Sequence, residues 1–355
     1  MKCDSSTYLF YLGHPAHYHN VSVVMKQMAA ENCNIILVAR AKDVLFDLLE
    51  NTPYNIIFLP PRKGKGKFSL VAEVLKRQLI LLKLCLKFRP KMMIGTDIVI
   101  THIGKLLGIP SVILNEDDAE EVPYLVKYGY KYATAILAPE CCSVHPYKHK
   151  KVAYKGYHEL AYLHPNYFTP DKSKVGHLFK NNRPYFILRF VELTAHHDKG
   201  KKGINILLAK KLIEKLQPHG NIYITSERPL EAKLEPYRVM VHPKDMHHVL
   251  SFATFFIGDS QTMTAEAAVL GTPAIRFNDF VGKLSYLEEL EHKHQLTFGI
   301  KTDNENMLFD KVDELLNMEN LDVTFQQRKE KMLANTVDVA LFWKNYFTNF
   351  KTKKI

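Results

Sequence analysis

Residues 255–276, FFIGDSQTMTAEAAVLGTPAIR, hold the densest chemical pattern in the chain. An apolar strand over Phe255–Ile257 runs into the turn Gly258-Asp259-Ser260. A helix of small residues is expected over Thr262–Leu270, stopped by Gly271, with Pro273 leading into the next strand. The start of such a helix offers unpaired backbone N–H groups and a partial positive charge, which suits a diphosphate. Gly258, Asp259, Ser260, Gln261 and Thr262 are therefore candidate phosphate positions. Glu266, about one and a half turns further on, is a candidate acceptor for ribose hydroxyls. The same pattern also describes an ordinary strand–helix turn capped by Ser260 or Thr262.

Other loops after strands carry candidate groups. Gly13-His14-Pro15-Ala16-His17-Tyr18-His19 follows the first strand, and Gly13 permits a tight turn beside a nucleotide. His17 falls at a helix start and is a candidate catalytic base; surface histidines on a capped helix are the alternative. The HxxHxH spacing does not read as a metal site, because His17 and His19 point about 200° apart on a helix and no carboxylate lies nearby. Asp97, in Gly95-Thr96-Asp97, is an acid–base candidate or a helix cap. Leu114–Glu121 carries five acidic residues, including Glu116 and Asp117, that suit a metal, an acceptor site or a solvated cap.

In the second half Arg189 ends a strand, where a guanidinium clamps a diphosphate well. The loop behind it holds Glu192, His196, His197 and Asp198. Ser226 and Arg228 follow the next strand. His242 opens a loop able to grip a base through its backbone, with Asp245 as the expected cap of the helix after it.

These loops need a scaffold that brings strand ends together. Short apolar runs without alternation, the mark of a parallel sheet covered on both faces, occur at 8–12, 35–39, 56–59, 92–95, 111–114 and 135–137. Helical stretches at 17–30, 42–49, 68–88 and 101–107 separate them. A second series has strands at 185–189, 221–225, 239–241, 255–257 and 274–277, with helices at 204–216, 245–252, 262–270 and 282–292. Residues 156–174 read as the connection, and 325–350 as a terminal helix long enough to return to the first domain. The spacing predicts an α/β chain of two Rossmann-like, doubly wound domains facing a cleft, at 1–165 and 175–330, with 331–355 as the terminal helix.

Bulk properties narrow the partners. The 355 residues suit two domains, and 46% hydrophobic with 24% charged content fits a globular protein. No eighteen-residue apolar run is present, and MKCDSSTYLF reads as a first strand rather than a signal peptide. The five cysteines show no CxxC spacing and suggest reduced thiols in the cytoplasm. The net charge of +11 favours acidic partners, yet no helix-turn-helix, RNP or zinc-finger pattern appears, so nucleic acid is not expected. Residues 62–88, a basic run followed by an apolar helix with Lys76, Arg77, Lys83 and Lys87, suit either peripheral contact with an anionic leaflet or burial against the sheet.

Taken together, YLGHPAHYHN, the GTD turn at 95–97, GYHELAYLHP and GDSQTMTAEAAVLGTPAIR resemble the family called domain of unknown function 354, over about residues 5–335. The resemblance implies kinship with the GT-B superfamily: UDP-N-acetylglucosamine 2-epimerases, the MurG glycosyltransferase and lipid-A-disaccharide synthase. In that fold the C-terminal domain holds most of the nucleotide. The epimerase motif Asp-Ser-Gly-Gly-x-x-Glu-Glu falls on Asp259–Glu266, which implies diphosphate at Ser260 and the 261–262 backbone, with ribose at Glu266. Gln261 and Thr262 stand where the motif has glycines, and Leu188-Arg189 where the epimerases have His-Arg. His17 is the nearest match to the MurG loop histidine.

The leading expectation is a metal-independent glycosyltransferase with a nucleoside-diphosphate sugar as substrate, no other cofactor, and a saccharide or lipid-linked acceptor in surface polysaccharide or glycolipid assembly. In it His17 is the base and Arg189 steadies the departing diphosphate. The alternatives are a nucleotide-sugar epimerase or hydrolase using Glu116, Asp97 and Asp117, or a non-catalytic nucleotide-sugar-binding or assembly protein.

Overall fold

The computed structural model describes residues 6–40, 43–60, 66–191 and 203–350. The chain divides into two compact units, Met1–His164 with Val337–Ile355, and Pro165–Thr336.

The first unit is built on seven strands: β1 (Thr7–Leu12), β2 (Asn34–Arg40), β3 (Asn55–Leu59), β4 (Met92–Gly95), β5 (Ser111–Leu114), β6 (Ala135–Pro139) and β7 (Lys151–Tyr154). They lie in the order β3-β2-β1-β4-β5-β6-β7, every pair parallel. The apolar runs at β1, β4 and β5 are closed from solvent on both faces, which is why they show no alternation. Helices α1 (Pro15–Ala30), α2 (Asp43–Leu49), α3 (Lys67–Phe88), α4 (Ile98–Leu107), α5 (Pro123–Leu125) and α6 (Leu160–Leu163) connect the strands. Pro15 starts α1, its fixed φ already helical, and Val21, Val24, Met25 and Met28 give it a buried stripe. Arg77, Leu81 and Cys85 form the inward face of α3, with Leu81 and Cys85 in a cluster shared with Ile100 and Ile103 of α4.

The second unit has five parallel strands: β8 (Tyr185–Phe190), β9 (Asn221–Ser226), β10 (Phe256–Gly258), β11 (Ala274–Phe277) and β12 (Thr297–Ile300), in the order β12-β11-β10-β8-β9. The strand order reverses between β8 and β10, the place where open α/β sheets bind ligands. Helices α7 (Ile206–Leu216), α8 (Met246–Ser251), α9 (Gln261–Leu270), α10 (Ser285–His292), α11 (Glu305–Asn317) and α12 (Leu321–Leu333) complete it. Gly271 ends α9 at φ +81°, a conformation that glycine adopts without strain.

Several expectations are corrected. Residues 239–241 do not form a strand: only Val239 N bonds Ile224 O, and Met240 lies exposed between Pro236 and Pro243. The edge strands β7 and β12 and helix α11 fall where no element was expected. The terminal helix is two helices. Val337 N bonds Lys155 O, Asp338 caps a new helix α13 (Val339–Asn349), and α13 packs Phe347 against Phe10 of the first unit. Residues 157–163 are core of the first unit rather than a connection. Cys33 is disulfide-bonded, against the expectation of reduced thiols.

Candidate functional site

In the first unit the C-terminal ends of β5 and β7 bring acid and imidazole groups together. Glu116 stands two residues after β5, and its Oε2 accepts from the backbone N–H of His158 at 3.3 Å. Burial lifts the Glu116 carboxyl well above the usual range; the charge of Glu159 and then of Asp117 add to the shift, while the His158 N–H opposes it. About 16% of the Glu116 side chain still meets solvent, whereas Glu159 is only 1% exposed. The reachable member of the pair is therefore Glu116.

His158 is held beside it as a neutral ring. Burial, and then the proximity of His17, lower its pKa to about 3. Its Nδ1 lies 3.7 Å from Glu116 Oε2, which is a dipolar contact rather than an ion pair because the ring carries no charge. Asn20 Nδ2 donates to the same Nδ1 at 3.3 Å, which places the ring proton on Nε2. That Nε2–H is buried without a hydrogen-bond partner among the described residues. The aromatic walls are Tyr154, stacked on His158 at 6.4 Å, and Trp343 of α13, edge-on at 5.0 Å.

His17 behaves differently from the expected base. Gly13 N–H donates to His17 Nδ1 at 3.2 Å, so the neutral ring carries its proton on Nε2. Asp97 takes the capping alternative: it accepts from Val99 N at 2.9 Å and pairs with Arg77 Nη1 at 2.6 Å, a bonding network separate from that of Glu116. Tyr11 joins that network by accepting from Arg77 at 3.0 Å. The acidic run neither caps a helix nor acts as a block. Asp118 accepts from Ser143 N at 2.6 Å, and Asn115 reaches back to Asp117 O at 2.6 Å. Among the described residues no group of three or more His, Cys, Asp or Glu side chains is placed to hold a metal.

The second unit places the other candidates around the β8/β10 switch. Ser260 is the N-cap of α9, its Oγ accepting from Met263 N at 3.3 Å, and its carbonyl accepts from the Thr264 hydroxyl. The amides of half-buried Gln261 and Thr262 come ahead of those capped positions. Gly258 is required by close packing, since a Cβ there lies 2.9 Å from Arg189 Cβ. Arg189 pairs with Glu227. Asp259 faces inward, accepting from Val191 N at 2.8 Å and Ile204 N at 3.3 Å, and burial pushes its pKa up to about 6. Its two carboxylate oxygens therefore tie Val191 to Ile204.

Glu266 is also turned inward. Its Oε1 lies 3.0 Å from His247 Nε2, and both residues are buried, so the carboxylate expected at a ribose is engaged inside the unit. Ser226 is spent on its own turn, exchanging hydrogen bonds with Arg228. His242 is exposed and caps the turn before α8 by accepting from Lys244 N at 3.3 Å, while Asp245 stands at the N-cap position of α8, as expected, without a side-chain bond to that helix. Glu192, His196, His197 and Asp198 lie outside the described residues.

Sequence reasoning missed His158, Glu159, Asn20 and His247. For the first two a signal was present: adjacent His and Glu inside the apolar run YHELAYL are costly to bury without a purpose. Asn20 and His247 carry no comparable mark.

The family described as "Protein of unknown function (DUF354)" matches residues 10–339. No curated protein matches the sequence. Among solved structures, the spinosyn forosaminyltransferase SpnP is similar with a TM-score of 0.66 at 12% identity, over 98% of this chain and 100% of that one. The S. aureus MnaA–UDP co-structure gives 0.63 at 13%, covering 99% of each chain. UDP-GlcNAc 2-epimerase from Neisseria meningitidis bound to UDP-GlcNAc gives 0.59 at 13%, over 92% and 99%. The fold is thus that of the GT-B glycosyltransferases and these epimerases.

Proposed function

The chain belongs to the DUF354 family, and on that premise we propose that it is a glycosyltransferase acting on a nucleoside-diphosphate sugar. The observation that carries the reading is Glu116, a desolvated yet reachable carboxyl at the C-terminal edge of a parallel sheet. Once ionised, a carboxylate of raised pKa is a strong acceptor for a hydroxyl proton. In the proposed step the acceptor oxygen attacks the anomeric carbon as Glu116 removes its proton. The bond to the nucleoside diphosphate breaks, and the electron pair leaves with the phosphate. Glu116 takes the base role in place of His17, whose Nδ1 is already engaged by Gly13.

For the nucleotide, the support lies in the second unit. The amides of Gln261 and Thr262 open α9 at the switch point, and Arg189 stands one strand away. Two solved relatives in fold are described with UDP or UDP-GlcNAc bound. The acceptor in this reading is a saccharide or a lipid-linked saccharide.

One observation favours a second reading, a donor-only epimerase or hydrolase. Glu116 and Glu159 are close enough for one charge to lift the other, so the pair offers a protonated acid beside a base. The near-complete closure of Glu159 weighs against it, because reaction on two faces of a sugar needs two reachable groups. Calorimetry with UDP-, GDP-, ADP- and CMP-linked sugars tests the shared premise: absence of heat with all of them removes both readings. Product analysis without acceptor separates them, since an isomer or free sugar from donor alone selects the second.

A further inference from the structure

Helix α3 has an outer face that its packing does not explain. Its inward side, with Leu81 and Cys85, joins the core, and Arg77 is buried against Asp97 and Tyr11. Outward it presents Val71, Leu75, Leu79 and Leu86, exposed by 58%, 55%, 60% and 59%. At about 100° per residue these four fall within an arc of roughly 80°, and they extend over about 22 Å of helix. Lys83, Lys76 and Lys87 are all exposed and occupy the next part of the turn on one side of that arc. Carboxylates are absent from this outward band; Glu73, the helix's acidic residue, pairs inward with Arg40 and Arg77.

We propose that α3 seats the protein on an anionic membrane surface, with the Val71–Leu86 stripe entering the interface and the lysines meeting lipid phosphates. Charge complementarity selects this occupant: a row of lysines along one edge of an apolar stripe matches an anionic leaflet, whereas a second copy of the same face brings lysine against lysine. No described helix is long and apolar enough to cross a membrane, so the contact is one of lying on the surface. The proposal stands independently of the role given to Glu116.

The test is sedimentation of the full chain with vesicles of phosphatidylcholine alone or mixed with phosphatidylglycerol. The protein is expected to pellet with the mixed vesicles and to be released by salt. Each lysine near an anionic leaflet contributes roughly fivefold to partition, so Lys76→Glu with Lys83→Glu is expected to weaken binding by roughly tenfold or more. Leu75→Asp with Leu79→Asp is expected to abolish it without lowering the melting temperature, because both side chains are exposed. Equal binding to neutral vesicles, no binding to either, or wild-type binding by these variants overturns the proposal. So does a dimer in sedimentation equilibrium that Leu79→Asp converts to monomer.

Discussion

Glu266 separates a structural account of the second unit from a ligand-binding one. Its carboxylate lies 3.0 Å from His247 Nε2, and the two side chains are 6% and 8% exposed. Removing one partner of a buried pair of this kind costs about 3–5 kcal/mol, because the other is left without its match. For a unit of this size that corresponds to a melting temperature lower by roughly 6–20 °C. Glu266→Ala is therefore expected to melt early, while nucleotide affinity measured well below the transition stays within about twofold of wild type. Glu266→Gln keeps an acceptor for His247 and is expected to recover much of the stability. Paired scanning calorimetry and nucleotide titration read both quantities. A Glu266→Ala protein that melts like wild type but binds nucleotide roughly tenfold more weakly, a loss of about 1.4 kcal/mol, refutes the reasoning and restores the ribose role.

Three further outcomes follow from the same geometry. Glu159 adds to the upward shift of Glu116, and a base works only when deprotonated, so activity falls as pH drops through the Glu116 value; Glu159→Gln is expected to move that acid limb of kcat/KM to lower pH, and an unmoved limb contradicts the coupling. Asp259 is raised from 3.8 to about 6, so its contribution to stability is complete below 3.8 and is lost as pH rises through about 6, by about 3 kcal/mol in all; carbon NMR of its carboxyl is expected to show the midpoint near 6, and an ordinary aspartate midpoint contradicts it. Asp97→Ala removes a cap and the nearer of Arg77's two carboxylates, leaving the guanidinium Glu73 and the Tyr11 hydroxyl, so chemical denaturation is expected to show a loss of about 2–4 kcal/mol in the first unit with nucleotide affinity unchanged.

The fold was legible because buried parallel strands print themselves as uninterrupted apolar runs. Met92–Gly95, Ser111–Leu114 and Ala274–Phe277 are read from the sequence to the residue. Edge elements were not: β7 mixes Lys151 into its run, and β12 contains Gly299, whose missing side chain leaves room for Glu291 and Arg276. Helix starts were readable only to within about three residues: Ser260 and Asp97 both cap as their alternatives held, but the helices begin at Gln261 and Ile98 rather than at 262 and 101. What a carboxylate does after a strand was not readable. Glu116, Asp97, Asp259 and Glu266 look alike in sequence, yet one is lifted by burial and a second acid, one is paired to arginine, one staples a loop and one meets a histidine. Those partners are 19 to 68 residues away, and only the sheet order brings them together.

Replacing Glu116 by Gln keeps the shape and removes the base. With a donor sugar and acceptor that the wild-type protein turns over, the account predicts unchanged nucleotide affinity by calorimetry and a kcat at least about a hundredfold lower. A Glu116→Gln protein that turns over at the wild-type rate contradicts it.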